Sequence, residues 1–205
     1  VHTAPDLMSA HNHVMKKFGH PTKKLGDIKS LAGKGAWMMM QRSFTKEVTD
    51  EKIKKEMTKE FIDFYSKNIA NDSKPFEGLF NFLEWAKSKN ISMAVCTNKQ
   101  ERLAIDLLKK LNLYDYFEYI AGSDTFNYNK PDPRHLTDVV EIIGGDLKKT
   151  IMVGDSEVDE MAATNAKLPF VLVADGYTEK TVKQIKHDAL IKDYVGFDKI
   201  ISKYL

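Results

Sequence analysis

Three short groups of polar residues in this sequence have side chains that suit phosphate and metal chemistry. They are Thr97 with Asn98, Lys130 in an Asn-Lys-Pro sequence, and Asp155 with Asp159. A hydroxyl and a backbone N–H can hold phosphate oxygens, and a fixed ammonium group can neutralise a phosphate. Paired carboxylates supply the hard oxygen ligands that Mg²⁺ prefers. Together these residue types indicate the binding of a phosphorylated molecule beside a divalent metal.

Each group also has an ordinary structural interpretation. Thr97 follows an apolar segment and precedes a predicted helix, so it could simply cap that helix. Lys130 could be a solvated loop lysine, and Asp155 could be the N-cap of the next helix. The residue types alone leave both interpretations open, so the positions of the groups along the chain have to be considered.

The elements predicted around these groups alternate between strands and helices. The predicted strands are 91–96, 117–121, 151–153 and 170–174. Segments of helical periodicity separate them, which indicates βαβ units and a parallel sheet with helices on both faces. Thr97 and Asp155 directly follow two of the strands, at the edge where such sheets bind ligands. The sequence therefore predicts an α/β fold with these residues at its binding edge.

The N-terminal third of the chain shows helical patterns and no strand. Apolar residues follow the helical period over 7–18. A second, stronger helix is predicted over 50–70, with Asp50 as its N-cap. The sequence thus predicts a small helical domain over 3–72 and an α/β core over 73–205.

The composition excludes several classes of protein. The 205 residues are 42% hydrophobic and 29% charged, as in ordinary globular proteins. The net charge of +2 is too small to indicate binding to nucleic acid or to a membrane surface. No apolar segment reaches the ~18 residues of a membrane span. The single cysteine, Cys96, excludes an intrachain disulfide framework and fits a reducing compartment, so we expect a cytoplasmic protein.

The order of the motifs resembles the haloacid dehalogenase superfamily. A Thr after one strand, then Lys-Pro, then an apolar strand with Gly-Asp-Ser-x-x-x-Asp is similar to that superfamily's second, third and fourth motifs. Residues 3–7 (Thr-Ala-Pro-Asp-Leu) and 33–36 (Gly-Lys-Gly-Ala) look like the helical cap of the phosphoglycolate phosphatases. The resemblance covers nearly the whole chain, and it implies a Rossmann-like parallel sheet that carries a small helical cap.

One motif of the superfamily does not occur in this sequence. It is an apolar strand that ends in Asp-x-Asp-Gly-Thr, whose first Asp is the nucleophile and whose second is the general acid and base. Residues 1–6 look like the stretch that follows this motif. Asp6 is not a substitute, because it follows Pro5 in a helix start. We therefore expect the nucleophile, and a core strand with it, upstream of Val1.

The resemblance implies Mg²⁺-dependent hydrolysis of a small phosphate monoester, with phosphoglycolate as the first candidate. The reaction would pass through an aspartyl-phosphate. Thr97, Asn98 and Lys130 would bind the transferred phosphate. Asp155 and Asp159 would bind the metal, with Asp159 alternatively orienting the metal's water shell or Lys130.

Two basic residues of the predicted cap, Lys34 and Arg42, are candidates for binding a substrate carboxylate. The same scaffold also allows β-phosphoglucomutase-like or pyrophosphatase activity. If the chain truly starts at Val1, it would instead be a non-catalytic module that binds phosphate or a partner. The expected ligand is a small phosphorylated metabolite, with no nucleic acid and no membrane, and the expected state is a monomer or homodimer.

Overall fold

The computed structural model of the protein describes residues 1–33, 35–44, 48 and 50–204. The first elements are α1 (Ala4–Lys17), α2 (Ile28–Leu31), α3 (Gly35–Gln41), α4 (Glu51–Lys67), α5 (Leu79–Ser88), β1 (Ala94–Cys96) and α6 (Glu101–Lys110). They are followed by β2 (Tyr119–Ala121), α7 (Arg134–Ile142), β3 (Met152–Gly154), α8 (Glu157–Ala166), β4 (Phe170–Val173), β5 (Ala189–Ile191) and α9 (Phe197–Ile201). Short 3₁₀ turns lie at Leu25–Asp27, Tyr114–Tyr116, Leu147–Lys149 and Val182–Gln184.

Helices α1 to α4 form a helical layer around one apolar core. Helix α1 packs on α4, and Met15 and Phe61 are among the buried residues that they contribute. Helix α4 begins as predicted, because the carboxylate of Asp50 accepts a hydrogen bond from the Lys52 N–H at 2.7 Å. Leu103 of α6 belongs to the same core. The helical layer therefore packs directly against the α/β part of the chain.

The named strands form two sheets, and every ladder between them is parallel. One sheet pairs β1 with β2, with Ala94 opposite Tyr119. The other has the order β3, β4, β5, with Val153 opposite Val171. Helices follow β1 and β3 in the chain and pack back on the strands, as right-handed crossovers require. The expectation of an α/β fold with parallel strands is confirmed.

In the described part of the chain, no ladder joins the two sheets. All residues of β1 and β3 are only half-buried, whereas all residues of β4 are buried. The Lys130 side chain connects the two sheets near their carboxyl ends, where it contacts the carbonyl oxygen of Cys96, the last residue of β1, and Asp159 of α8, the helix after β3. The expected additional core strand stays a prediction. It could pair with β1 and with β3, each of which has one edge without a partner strand in the described ranges.

The N-terminal segment and the segment that follows α4 are bonded to each other. His2 and Lys74 form an antiparallel bridge. Asp6, which is buried, accepts hydrogen bonds from the N–H groups of Asp72 and Ser73 and from the Ser73 hydroxyl. The predicted boundary between helical and α/β domains lies at this junction, and it stays a prediction.

Candidate active site

Lys130 is a buried, paired ammonium group. Its Nζ donates to the carbonyl oxygen of Cys96 at 2.5 Å and to Oδ1 of Asp159 at 2.6 Å, and the residue is only 8% exposed. Burial is the largest single influence and would lower the pKa of Lys130. The charge of Asp159, its hydrogen bond and the charge of Asp155 together outweigh burial and raise the pKa. Lys130 therefore stays a cation and is not a solvated loop lysine.

Asp159 uses both of its carboxylate oxygens inside the protein. While Oδ1 accepts from Lys130, Oδ2 accepts from the N–H groups of Asp155 and Ser156 at 3.1 Å and from the Ser156 hydroxyl at 2.7 Å. Burial favours the neutral acid, but Lys130 and these donors lower the pKa of Asp159. Oδ1 thus has one donor and Oδ2 has three, and the two oxygens hold Lys130 and the turn at the start of α8. The role of Asp159 as a metal ligand stays a prediction.

Asp155 lies in a different environment from Asp159. It is not the N-cap of α8, since Ser156 takes that position. Burial, reinforced by the charge of Asp159, raises the pKa of Asp155 to about 6. Asp155 forms no ion pair within 4 Å with another residue of the described ranges. The charges of Lys130 and of the Val1 ammonium group, and then the backbone N–H of Tyr177, favour its charged form. A half-buried carboxylate in this position fits one oxygen ligand of a divalent metal.

Two glycines allow α8 and the loop after β4 to approach the end of β3 closely. A Cβ added at Gly154 would lie 2.4 Å from Cβ of Asp159. A Cβ added at Gly176 would lie 2.1 Å from the carbonyl oxygen of Asp155. Only glycine fits at either position, because any side chain would displace Asp159 or Asp155.

Thr97 and Asn98 begin the loop after β1. The Thr97 hydroxyl accepts from the Lys99 N–H at 3.1 Å and has no acceptor among the described residues, so its proton is available to a ligand. Gln100 is the N-cap of α6, so Thr97 does not cap that helix. The Asn98 amide donates to the carbonyl oxygen of Lys130 at 3.0 Å. The structure thus links the loop after β1 to the lysine loop.

The helical layer reaches this site through the segment between α2 and α3. A Cβ at Gly35 would lie 3.1 Å from the carbonyl oxygen of Asn98, and one at Gly33 would lie 3.0 Å from that of Tyr177. The segment therefore contacts the loops that follow β1 and β4. Lys34, the cap residue expected to meet a substrate, lies outside the described residues.

Arg42, the second expected cap residue, faces the start of α8. It lines a small open cleft that Ser156 and Tyr177 also line. Its Nη1 donates to the carbonyl oxygen of Ser30 at 2.9 Å, so the guanidinium group is held by the helical layer's own backbone. Its role in substrate binding stays a prediction.

Two residues that contact both layers were not found by sequence reasoning. The Tyr177 hydroxyl accepts from the Thr3 N–H at 2.8 Å. The Lys99 ammonium group donates to the Tyr65 hydroxyl at 2.8 Å. Both residues belong to loops that directly follow strands, and this position is the signal that could have found them.

The remaining observations concern metals, thiols and membranes. Within the described ranges, no group of three or more His, Cys, Asp or Glu side chains is arranged around a common metal position. Asp155 therefore fits only as part of a larger ligand set.

Burial raises the pKa of the Cys96 thiol to about 11, as expected for an unreactive cysteine. None of the described helices has the length and apolar character that crossing a membrane requires.

Comparison with known families decides where the chain belongs. The model of the haloacid dehalogenase-like hydrolases matches residues 1–173. The chain belongs to this family. The expectation of a hydrolase of this superfamily is thereby confirmed.

Two curated relatives of this haloacid dehalogenase-like hydrolase have the same name, phosphoglycolate phosphatase. A phosphoglycolate phosphatase of Agrobacterium fabrum (strain C58 / ATCC 33970) is 38% identical over 210 residues, which cover 99% of this chain and 90% of the relative. A phosphoglycolate phosphatase of Caulobacter vibrioides is 35% identical and covers 97% of this chain and 85% of the relative. The expected resemblance to that group of phosphatases is confirmed.

Solved structures agree on the fold. A crystal structure described as a predicted phosphoglycolate phosphatase from Haemophilus somnus 129PT matches with a TM-score of 0.91 at 25% identity, covering 97% of this chain and 91% of that one. A β-phosphoglucomutase from Clostridium difficile matches with a TM-score of 0.78 at 22% identity, covering 98% and 91%. The second likeness concerns the fold alone.

Proposed function

We propose that this haloacid dehalogenase-like phosphatase hydrolyses phosphoglycolate and requires Mg²⁺. The observation that carries the proposal is the buried Lys130–Asp159 pair between the two sheets, with Asp155 beside it. A cation fixed in this way is suited to a dianionic phosphate. The names of the curated relatives support the choice of substrate.

Three groups would bind the phosphoryl oxygens. The Thr97 hydroxyl has a proton to donate, the Asn98 N–H follows it in the same loop, and Lys130 supplies the positive charge. Because these groups are fixed before the substrate binds, they stabilise the charge of the transition state without reorganising. Lys130 is in turn positioned by Asp159 and by the carbonyl oxygen of Cys96.

Asp155 is the residue that would hold the metal. Its carboxylate is a hard oxygen ligand, and it is half-buried and forms no ion pair among the described residues. When bound, Mg²⁺ would reduce the repulsion between the phosphate and an attacking carboxylate. Asp159 would act through Lys130, because both of its oxygens are already engaged.

The attacking carboxylate is proposed to lie on a strand upstream of Val1, between β1 and β3. The free edges and half-burial of these two strands support this placement. The upstream coding sequence tests it. We expect an in-frame apolar segment that ends in Asp-x-Asp-Gly-Thr. Its absence would leave a non-catalytic module that binds phosphate or a partner.

The helical layer is proposed to act as a cap over this site. The contacts of Gly35 with Asn98 and of Gly33 with Tyr177 support a lid that excludes water during the reaction. We propose residues 3–72 as this cap and 73–205 as the core. We also propose that the enzyme works in the cytoplasm on a small metabolite, as a monomer or homodimer.

The test is phosphate release by the protein at the length that its gene encodes. Phosphoglycolate and pyrophosphate are compared by phosphate release in Mg²⁺ and in EDTA, and β-glucose 1-phosphate is also followed by its conversion to glucose 6-phosphate, because a mutase releases no phosphate. We expect the highest kcat/KM for phosphoglycolate and loss of activity in EDTA. A preference for either other substrate would favour the mutase-like or pyrophosphatase alternative, and activity in EDTA would overturn the metal requirement.

A further inference from the structure

Lys99 places a positive charge where the helical layer meets the loop after β1. Its Nζ donates to the Tyr65 hydroxyl of α4 at 2.8 Å and lies 4.2 Å from the centre of the Tyr65 ring. Tyr65 is itself only 1% exposed. The Lys99 backbone N–H donates to the Thr97 hydroxyl at 3.1 Å, so the residue belongs to the same turn as the proposed phosphate site.

The Lys99 ammonium group has no carboxylate partner in the described part of the chain. Asp6 is the only acid that acts on it noticeably, and the two do not form an ion pair within 4 Å. The Asp6 oxygens are occupied by donors of Asp72 and Ser73. Lys99 thus differs from Lys130, whose charge is compensated by Asp159.

An uncompensated cation at this depth is costly, and an anion would relieve the cost. Desolvation lowers the pKa of Lys99 to about 7, with Asp6 opposing the effect. The residue nevertheless keeps accessible surface and is only half-buried. A small anion can therefore reach a group that has no carboxylate partner among residues 1–33, 35–44, 48 and 50–204.

We propose that Lys99 binds the carboxylate of the substrate, while Thr97 and Lys130 bind its phosphate. This inference rests on the proposed function and specifies the substrate as a short phosphorylated carboxylic acid. The Lys99 backbone N–H donates to the Thr97 hydroxyl, so both residues belong to one turn. One ligand could therefore have its phosphate at Thr97 and its carboxylate at Lys99, whereas Arg42 is held by Ser30 on the helical layer.

The test compares two ligands that differ in the carboxylate. Phosphoglycolate and ethyl phosphate are titrated by calorimetry into the parent protein and into Lys99→Met at pH 6.5. EDTA is present, so that the proposed Mg²⁺-dependent hydrolysis does not consume the ligands. We expect Lys99→Met to bind phosphoglycolate about ten- to a hundredfold more weakly, as for the loss of a charge-assisted hydrogen bond. Its affinity for ethyl phosphate should stay within about twofold, because that ligand makes no contact with Lys99.

Two further variants separate binding from folding. Lys99→Arg keeps the charge and should retain most of the preference for phosphoglycolate, while Lys110→Met removes an exposed lysine and should bind both ligands like the parent. Thermal unfolding verifies that each variant folds. In turnover, Lys99→Met should raise KM for phosphoglycolate and change kcat little.

The outcomes distinguish the two proposals. Equal weakening of both ligands by Lys99→Met, or no weakening of either, would overturn the role of Lys99. If the parent binds the two ligands equally well, the phosphate site stands and the carboxylate site fails. If the parent binds neither ligand, the proposed function fails and the role of Lys99 fails with it.

Discussion

At the scale of single residues, the site is a set of buried charges with unequal compensation. Lys130 and Asp159 neutralise each other at 2.6 Å. Neither Asp155 nor Lys99 forms an ion pair with a residue of the described ranges. Burial raises the pKa of Asp155 and lowers the pKa of Lys99, so in both cases it favours the neutral form. Opposite charges left open in this way are suited to a metal ion and to an anionic substrate.

Removing Lys130 leaves a buried carboxylate without its partner. We expect Lys130→Met to lower the free energy of unfolding by about 3–5 kcal/mol, because Asp159 stays charged or must take up a proton. Urea unfolding measures the change. Lys148→Met, at an exposed position, is the matched control and should change the free energy by less than about 0.5 kcal/mol. A similar small effect for Lys130→Met would contradict the description of this pair.

Asp155 gives the metal-free protein a defined dependence on pH. Folding raises the pKa of Asp155 from 3.8 to about 6, so the folded state holds this proton more tightly than the unfolded state. Its contribution to stability is therefore complete below about pH 4 and is lost as the pH rises through about 6. Asp155→Asn should remove this contribution from the pH profile of unfolding.

The same variant tests the metal site. Mg²⁺ should raise the melting temperature of the parent at pH 7.5, since a ligand that binds only the folded state stabilises it. Asp155→Asn should lose this response. An unchanged response of the variant to Mg²⁺ would mean that Asp155 does not hold the metal.

Sequence reasoning found the residues of the site that follow strands in recognisable motifs. Thr97, Lys130 and Asp155 could be selected because strand ends meet at one edge of a parallel sheet. The role of Asp159 could not be settled, since only the structure shows that its oxygens are occupied. The sequence does not identify Lys99 as a site residue, because its partner Tyr65 is 34 positions away.

At the scale of elements, the sequence predicts four of the five named strands. The observed bounds of β1 to β4 lie within a few residues of the predicted ones. Strand β5 was not predicted. It contains only three residues, and its pairing depends on β4, for example Leu190 opposite Leu172. A three-residue segment carries too little periodicity to be identified without that partner.

The close approach of two loops makes a prediction at this scale. Gly176→Ala would place a Cβ 2.1 Å from the carbonyl oxygen of Asp155, so the loops after β3 and β4 must move apart. We expect a loss of about 1–3 kcal/mol in unfolding free energy and a weaker response to Mg²⁺. Gly26→Ala, where a Cβ meets nothing within 4 Å, is the control for the same substitution. Equal effects of the two substitutions would argue against tight packing around Asp155.

At the scale of the whole molecule, the helical layer contacts the α/β part at several polar points. Tyr177 bonds to Thr3, and Lys99 bonds to Tyr65. Each point joins a loop at the binding edge of the sheet to a residue of the N-terminal helical region. The sequence could predict that both parts exist, because their periodicities differ. It could not predict which side chains connect them, because such contacts depend on the final packing of distant segments.

The most direct measurement is phosphate release from phosphoglycolate by the protein at its encoded length, with Lys130→Met and Lys148→Met beside the parent. In Mg²⁺, the parent and Lys148→Met should hydrolyse the substrate at similar rates. The kcat of Lys130→Met should be lower by about 10²-fold or more, as when a preorganised group that stabilises transition-state charge is removed. EDTA should abolish the activity of all three. Undiminished hydrolysis by folded Lys130→Met, or no hydrolysis by the parent in Mg²⁺, would contradict this account of the site.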